Sequence, residues 1–429
     1  MDHIQEKEAS RDGYGQNLRL SVFETDRGEE DVFNEESPDS DIKYKTLSWQ
    51  FVALLMISEI VSNGILSLPS TLAVIGIVPA LILIIFLGIF GLFTAKILID
   101  FKLNHPSVHS MGDAGYIMGG PILGEILTSG TVIFAIFATG SELISGQQAL
   151  STLSNDGLCS VLLVLIFAAV TFLSSLPRTL GNLSWLGLFS AALILISGIV
   201  GMAGAGANPV QGRVVEVTMS NSFFEAFLAV TNPVFAYAGH FMFFILISEM
   251  KRPQDAMKAA WCLQGFATIF YAVFAVVMYV YIGNSVESPA FLSLPPKWAK
   301  AAFAIALGNF LISTHTMLGW TSWIVLCFIA ATIAFILAVA LPIFSYLIGI
   351  TASLFAAWYT YGLAGFFWIH DTYHLHGGRK GLRDRPVGMI LAILTILSGA
   401  FICVAGTYVS VQLIIDAYEE GIVGAPFTC

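Results

Sequence analysis

Long runs of apolar residues are the feature that most constrains the fold of this chain. Runs of about 18 or more residues recur between residues 47 and 417, and a helix needs about 20 residues to cross a membrane. Of the 429 residues, 56% are hydrophobic and 11% charged, with a mean hydropathy of +0.80. That is too little charge to cover a soluble protein of this size. The runs do not alternate as barrel strands do, so the sequence predicts an all-α polytopic membrane protein.

We predict eleven spans with short connections, at about 47–70, 75–100, 125–152, 158–176, 184–206, 222–248, 258–283, 298–314, 317–340, 342–369 and 387–417. Segment 298–314 is the weakest, because its apolar run is short for a crossing. The chain then divides into an acidic tail at 1–46, a transmembrane domain at 47–418 and a short extracytoplasmic end at 419–429. The tail includes "ETDRGEEDVFNEESPDSD" and is predicted to be disordered in the cytoplasm.

The basic residues predict the orientation of the chain. With the N-terminus in the cytoplasm, most Lys and Arg residues of the connections fall on the cytoplasmic side, and only Arg213, Lys297 and Lys300 fall outside. This is the asymmetry that the positive-inside rule describes. We expect an integral protein of the plasma membrane, with the vacuolar membrane as an open alternative. Cys159 and Cys429 both fall on the outer side, where a disulfide between them is one alternative.

The first span contains residues that interrupt a helix. It reads "SEIVSNGILSLPS" at 58–70. Gly64 lets the chain leave helical angles, and Pro69 removes a backbone donor and disfavours a continuous helix. Glu59 and Asn63 are four residues apart and share one face. In lipid an unpaired backbone group costs several kcal/mol, so a break is tolerated only where a protein cavity or a ligand receives the freed groups.

The sixth span carries a matching interruption. In "TNPVFAYAGHFMFFILISEMKRP", residues 231–253, Pro233, Gly239 and His240 fall near the middle. Breaks five spans apart are typical of an inverted repeat in which helices 1 and 6 are discontinuous and meet at the midplane. Freed N–H groups suit a carboxylate, and freed carbonyls suit an amino group or a cation. Together they match an amino acid zwitterion, with ordinary Pro/Gly kinks as the alternative.

Four stretches resemble the amino acid/auxin permease family, and the fungal neutral amino acid permeases in particular. They are "EIVSNGILSLPSTLAVIGIVPALILI", "LSSLPRTLGNLSWLG", "NPVFAYAGHFMFFILISEMKRPQDAMKA" and "ASLFAAWYTYGLAGFFW". The resemblance covers about residues 44–418. It implies an APC-superfamily (LeuT-like) fold with a 5+5 inverted repeat, in which eleven transmembrane helices include broken helices 1 and 6. It also implies secondary active import of amino acids, usually coupled to protons in fungi.

The resemblance also implies which residues form the site. The unwound stretches of spans 1 and 6 would present backbone groups to the substrate, and span 3 would line the other wall. The substrate-binding candidates are Asn63, Gly64, Ile65, Leu66, Ser141, Ala236, Tyr237, Ala238, Gly239 and His240. Trp358 and Tyr361 in span 10 are candidates for an outer gate, with helix packing as the alternative.

Three ionisable residues are candidates for carrying a coupling proton: Glu59, Glu142 and His240. A carboxylate in a dry site binds a proton easily, so Glu59 and Glu142 are equal candidates for proton coupling. For His240 we favour a hydrogen bond that stabilises the break. Small residues beside the breaks and the lack of a fixed charge there favour a neutral amino acid. Proton and sodium coupling both stay open.

Two departures from the family pattern bear on this expectation. Many fungal members have a His where this chain has Glu142, and the stretch "FAIALGNFLISTHTMLGW" is shorter than in relatives. Span 8 faces span 1 across the usual cation site of this fold, so the shortening would affect that site. Ser313 and Thr314 are the hydroxyls positioned to substitute. A chain made inactive by the shortened helix 8 is therefore an open alternative.

Other classes of function are less favoured. A vacuolar amino acid exporter is a serious alternative, and a non-transporting sensor that signals through the tail is a weaker one. An enzyme is not expected, because the sequence has no nucleophile–base constellation and no metal or phosphate motif. We expect no cofactor and no nucleic-acid partner. The expected partners are an amino acid substrate, protons and the lipid bilayer, and the sequence leaves protein partners unknown.

Overall fold

The structure is a computed structural model, and it describes residues 45–174, 180–312, 320–341 and 343–421, with the side chains of 180–186 and 320–325 left out. The described residues from Leu47 onward belong to one compact unit. The described part is helical apart from turns and one bridged pair of residues. The predicted tail at 1–46 lies outside the described residues except for Lys45 and Thr46.

The helices follow one another closely along the chain. They are α1 (Trp49–Ile60), α2 (Leu68–Ile75), α3 (Ile77–Asn104), α4 (Met111–Ser154), α5 (Ser160–Ser174), α6 (Leu180–Ala207), α7 (Phe223–Ala236), α8 (Phe243–Ser248), α9 (Ala256–Ile282), α10 (Pro296–Ile312), α11 (Trp320–Ala340), α12 (Phe344–Thr351), α13 (Leu363–Leu375), α14 (Arg379–Arg383) and α15 (Pro386–Glu419). Short 3₁₀ turns lie at Asn63–Ser67, His240–Met242, Pro253–Asp255 and Ala290–Ser293, and Ala352–Gly362 winds as a π-helix between α12 and α13.

Several of these helices can cross a membrane. Among the described residues, seven helical stretches are long and apolar enough, and the bent pair Trp49–Ile60 and Asn63–Ile75 brings the number to eight. Large apolar side chains such as Ile82, Ile89 and Val404 are exposed, as expected for a surface that faces lipid. These helices support the prediction that the chain is an integral membrane protein. The count of eleven spans stays a prediction, since α5 and α10, with 15 and 17 residues, are shorter than any of those seven stretches.

The first span is broken between α1 and α2. Helix α1 ends at Ile60, and helical winding resumes at Asn63 with a bend of 44° between the two parts. Val61 and Ser62 hold the non-helical backbone, with ψ angles of 63° and −131°. The break therefore lies one to two residues before the Asn63-Gly64 pair that the sequence suggests.

The residues predicted to be unwound adopt a tighter winding instead. Asn63–Ser67 form a 3₁₀ turn that leads directly into α2. Pro69 lies in the first turn of α2, where a missing N–H removes no intrahelical bond. Pro69 was expected to oppose a continuous helix at this point, and it instead begins the second half of the span.

The sixth span is interrupted between α7 and α8. Helix α7 contains Pro233 and ends at Ala236, and helical winding resumes at His240 and runs through α8 to Ser248. Gly239 precedes the second half directly. Both halves of this span, like both halves of the first, are thus short helices with free ends in the middle of an apolar segment.

The two broken helices are also joined by main-chain hydrogen bonds at their far ends. The Leu47 N–H donates to the Glu249 carbonyl at 3.0 Å, and the Lys251 N–H donates to the Leu47 carbonyl at 2.9 Å. This parallel bridge between Leu47 and Met250 links the residues just before α1 to those just after α8. The half-helices α1 and α8 are therefore tied to each other.

The cysteines differ in their bonding. Cys159, in the connection between α4 and α5, is disulfide-bonded. Cys262, Cys327 and Cys403 are free thiols. Cys429, the predicted partner, lies outside the described residues.

Candidate substrate and coupling site

The two broken helices meet at their breaks. A Cβ atom added to Gly64 would lie 3.0 Å from the Cα of Ala236, and one added to Gly239 would lie 2.3 Å from the Cδ1 of Ile60. Each break therefore uses a glycine to approach the other span closely. The substrate-binding candidates of spans 1 and 6 are adjacent in space, and all are buried except the half-buried Ala238: Asn63, Gly64, Ile65, Leu66, Ala236, Tyr237, Gly239 and His240.

Tyr271, on α9, connects the two breaks. Its hydroxyl lies 2.9 Å from the carbonyl oxygen of Ile60 and 2.7 Å from that of Ala236, and the side chain is fully buried. One hydroxyl proton serves one carbonyl at a time, so Tyr271 is shared between the last residues of α1 and α7. Tyr271 was not among the predicted site residues. The available signal was a tyrosine hydroxyl in the apolar run "TIFYAVFAV", and that signal does not indicate which groups the hydroxyl contacts.

Removing the Tyr271 hydroxyl should weaken the site. In Tyr271→Phe the two buried carbonyls lose their shared donor, which costs about 1–3 kcal/mol. We expect roughly tenfold slower amino acid uptake and a lower thermal unfolding temperature, measured on the purified full chain. Tyr281→Phe on the same helix is the control, since its hydroxyl makes no hydrogen bond among the described residues. Equal uptake by the two variants would contradict a role for Tyr271 at the breaks.

Helix α4 supplies the wall opposite the first break. The Asn63 Nδ2 donates to the Ser141 Oγ at 2.9 Å, and the Ser141 hydroxyl donates to the Ala138 carbonyl at 2.7 Å. Ser145 donates in turn to the Ser141 carbonyl at 3.1 Å. Each donor has one acceptor in this set, so the Asn63 side chain is fixed against α4. Ser141 therefore contacts the first break, and a contact with substrate stays a prediction.

A chain of buried hydrogen bonds runs from α4 through the first break to α10. The Ser62 Oγ lies 2.7 Å from the Glu142 Oε1 and 2.7 Å from the Asn309 Oδ1. The Asn309 Nδ2 donates to the Ser58 carbonyl at 3.1 Å and to the Ser190 Oγ at 2.9 Å. All five side chains are buried. Asn309 was not predicted, although a lone amide in "AIALGNFLI" is the kind of polar residue that marks a site in a membrane helix.

The protons in this chain can be counted. Because the Ser58 carbonyl only accepts, the Asn309 amide must turn its NH₂ toward Ser58 and its oxygen toward Ser62. Ser62 then lies between two oxygens but owns one proton. With Glu142 charged, one of the two 2.7 Å contacts has no proton. With Glu142 protonated, Glu142 donates to Ser62 and Ser62 donates to Asn309, and every contact has a donor.

Glu59 lies near this series of hydrogen bonds, and the two hydroxyl candidates of span 8 lie outside the described residues. Glu59, in the last turn of α1, is half-buried, and its carboxyl interacts electrostatically with that of Glu142. Ser313 and Thr314 lie outside the described residues, which end at Ile312 on this side of the shortened stretch. Glu142 is therefore the candidate whose carboxyl is hydrogen-bonded to the break of the first span.

His240 ties the second break to α3. Its Nε2 lies 2.8 Å from the Gly91 carbonyl and 3.2 Å from the Thr94 Oγ1. Since a carbonyl only accepts, the Nε2 carries the ring proton and the Nδ1 of the neutral ring is an acceptor. The Nδ1 is buried and has no hydrogen-bond partner among the described residues. His240 thus makes the hydrogen bond expected of a stabilised break and keeps one acceptor for a donor that the described residues do not supply.

The aromatic candidates are packed between helices. The Tyr361 ring is fully buried and stacks on Phe90 of α3, with ring centroids 5.1 Å apart. Trp358, half-buried, lies one turn earlier on the π-helix, an irregularity that often occurs at functional sites. The Tyr237 hydroxyl is within 3.0 Å of the Ile84 carbonyl. Packing accounts for Tyr361 as it lies here, and the gate role of both residues stays a prediction.

Broken helices that meet in the middle of an apolar bundle define a class, the membrane transporters of LeuT-like fold. The chain is similar to a manganese transporter of Eremococcus coleocola, with a TM-score of 0.55, 15% identity, and coverage of 91% of this chain and 92% of that one. It is also similar to MhsT in complex with L-phenylalanine, with a TM-score of 0.53, 13% identity, and coverage of 88% and 100%. At these identities the likeness shows the fold alone, and it confirms the predicted fold class.

The chain belongs to the amino acid/auxin permease family. The family model described as transmembrane amino acid transporter protein matches residues 45–320. The chain is 29% identical over 430 residues to the N amino acid transport system protein of Neurospora crassa, covering 92% of this chain and 90% of that protein. It is 29% identical over 255 residues to Amino acid transporter AVT1B of Arabidopsis thaliana, covering 56% and 46%. The predicted family is confirmed, and the chain is an amino acid transporter rather than an enzyme.

Proposed function

We propose that this transporter couples the import of neutral amino acids to protons, and that Glu142 carries the proton. The observation that carries the proposal is the position of Ser62, whose hydroxyl lies 2.7 Å from the acceptor oxygens of both Glu142 and Asn309. A proton on Glu142 is the arrangement that gives each of these contacts a donor.

Loss of that proton reverses one hydrogen bond. A protonated Glu142 donates to Ser62, which leaves the Ser62 proton for Asn309 on α10. A charged Glu142 takes the Ser62 proton for itself, because hydrogen bonds to a charged acceptor are the stronger ones. Ser62 then no longer donates to Asn309. Proton binding at α4 thereby decides whether Ser62 in the first break donates to α10, while the contact from Asn309 to the Ser58 carbonyl is kept in both states. This change at the break is the link that symport requires.

The alternative of sodium coupling is less supported by the same contacts. A sodium ion between spans 1 and 8 would need free carbonyl or hydroxyl oxygens. The Ser58 carbonyl accepts instead from the Asn309 Nδ2 at 3.1 Å, so an amide donor stands where a cation would have to bind. This contact favours a transporter whose coupling ion is a proton on a carboxyl group.

The substrate would bind between the two breaks. The first N–H groups of Asn63–Ile75 and of the helix resuming at His240 have no intrahelical partners, and they suit the substrate carboxylate. The His240 Nδ1, buried without a partner among the described residues, suits a donor such as the substrate ammonium. Residues 58–70 and 231–248 contain no Lys or Arg, which favours a neutral side chain.

We place the transporter in the plasma membrane with its N-terminus in the cytoplasm. The basis for the orientation is the distribution of Lys and Arg along the connections. The name of the Neurospora crassa relative refers to amino acid transport and states no membrane. A fluorescent fusion in yeast tests the location. A signal confined to the vacuolar membrane would replace the importer by the vacuolar exporter.

Uptake of labelled neutral amino acids by the full chain in transport-deficient yeast tests the coupling. We expect faster uptake at acidic than at neutral external pH, loss of uptake with a protonophore, and no change when choline replaces sodium. The driving force is about 2.3 kcal/mol per charge per 100 mV. Uptake that follows sodium would overturn the proposal. No uptake despite surface expression would favour the sensor or a chain inactivated at helix 8.

A further inference from the structure

A cluster of side chains that can ligate a metal ion lies away from the breaks, where α3 ends beside α13. His105 is the residue that follows α3, and His370 and Asp371 lie near the end of α13. The three can each offer one ligand atom, and these atoms lie within 4.8 Å of one another. None of the three belongs to the hydrogen bonds that link Glu142, Ser62 and Asn309, and none is a substrate-binding candidate.

The distances within the cluster suit a small divalent ion. The His105 Nε2 lies 2.8 Å from the Asp371 Oδ1, and the His370 Nδ1 lies 3.2 Å from the same oxygen. Ligand atoms around a tetrahedral zinc ion lie about 3.4 Å apart, given bonds of about 2.1 Å. Small side-chain rotations would therefore admit the ion. Each ring would then carry its proton on the other nitrogen.

The cluster is supported by neighbouring side chains. The Asn104 Nδ2 donates to the Asp371 Oδ2 at 2.9 Å, which leaves Oδ1 directed at both histidines. The Phe101 ring packs against His105, with ring centroids 4.5 Å apart, and against His370, at 5.9 Å. In known metal sites, neighbouring groups that contact the ligating side chains hold them in the orientation that binding requires.

The cluster is shielded but reachable. The side chains of His105, His370 and Asp371 are 13%, 14% and 12% exposed, so an ion can enter and most of the surrounding water is excluded. Two imidazoles and one carboxylate favour Zn²⁺ over Mg²⁺ or Ca²⁺, which prefer sets of oxygen ligands. Three protein ligands leave a fourth position for water, as in open zinc sites.

We propose that His105, His370 and Asp371 form a Zn²⁺ site that joins the end of α3 to the end of α13. Helix α3 carries Gly91 and Thr94, which hold the second break through His240. Helix α13 continues from the π-helix that carries the gate candidates. An ion bridging these ends restrains the two elements relative to each other and inhibits transport. The site itself does not depend on which ion drives uptake.

Metal binding by the purified full chain tests the site. Co²⁺ serves as a spectroscopic probe, and Zn²⁺ is titrated against it. We expect one competing site per chain. His370→Gln and Asp371→Asn should each weaken Zn²⁺ binding by at least about tenfold, because even loss of a supporting residue costs 10–100-fold. His376→Gln is the control, since His376 is exposed nearby and outside the cluster.

Two readouts separate the site from a general loss of folding. Zn²⁺ should raise the thermal unfolding temperature of the wild type and of His376→Gln, but not of His370→Gln. In proteoliposomes Zn²⁺ should slow amino acid exchange by the wild type, reversibly on adding a chelator, and leave His370→Gln unaffected. Equal Zn²⁺ affinity in wild type and His370→Gln, or no stoichiometric binding, would overturn the site. Binding without inhibition would overturn its effect on transport.

Discussion

Glu142→Gln should abolish the accumulation of amino acids while sparing exchange. The Gln amide donates to the Ser62 Oγ as a protonated Glu142 would, so the contact at 2.7 Å and the fold are kept. The Gln side chain cannot release a proton, so the membrane potential has nothing to act on. A potential of 100 mV supports about fifty-fold accumulation per charge moved. We expect no accumulation by the variant in proteoliposomes with an imposed proton gradient.

The measurement compares gradient-driven uptake with exchange of labelled for unlabelled substrate. Exchange needs substrate binding and alternating access but no net proton movement, so it should persist within a few-fold of the wild type. Glu125→Gln is the matched control, because Glu125 is an exposed carboxylate on the same helix α4. Accumulation by Glu142→Gln at wild-type levels would assign the proton to another residue, and Glu59 would be the next to test.

The two breaks could be predicted from the sequence because glycine, proline and polar residues are costly in an apolar span. Gly64 and Gly239 each lie close to the opposite span, and glycine is the residue that permits such an approach without displacing a neighbour. Such local signals depend on the residue type and its neighbours in the chain. They can therefore be recognised in the sequence without knowledge of the three-dimensional arrangement.

The detailed position of the first break could not be predicted from the same signals. Pro69 reads as a breaker in the sequence, yet it occupies the first turn of α2, where proline is well tolerated. The non-helical residues are Val61 and Ser62, neither of which has a strong preference against a helix. Tertiary hydrogen bonds from Ser62 to α4 and α10 favour the break there, and those partners are distant in the sequence.

The coupling residues show the same division between local and long-range information. The buried carboxylate of Glu142 could be singled out because a charge in an apolar span is costly. Its connection to Asn309 through Ser62 could not, because it joins residues 142 and 309 of two separate spans. Proton counting at Ser62 needs that geometry. It is what distinguishes Glu142 from Glu59, two candidates that the sequence treats as equal.

Gly64→Val and Gly64→Ala should each reduce uptake more than Gly239→Ala does, although the contact at Gly239 is the shorter one. A Cβ at Gly64 meets the Cα of Ala236 at 3.0 Å, which is backbone, whereas a Cβ at Gly239 meets the side-chain atoms Cδ1 and Cγ1 of Ile60. A side-chain end can rotate away, and a backbone atom of the opposite break cannot. Overpacking of this kind costs about 1–3 kcal/mol.

This overpacking would change the spacing between the two breaks, where the substrate would bind. We expect uptake to fall at least about tenfold in Gly64→Val, several-fold in Gly64→Ala and less than that in Gly239→Ala, with surface expression measured in parallel. Gly265→Ala is the control: its added Cβ meets open space, and alanine stabilises a helix by about 0.5–1 kcal/mol relative to glycine. The opposite ranking, with Gly239→Ala the worst, would mean that Ile60 is fixed and that the tight contact lies at the second break. Because both glycines contact the opposite span, the ranking identifies which of the two contacts sets the spacing of the site.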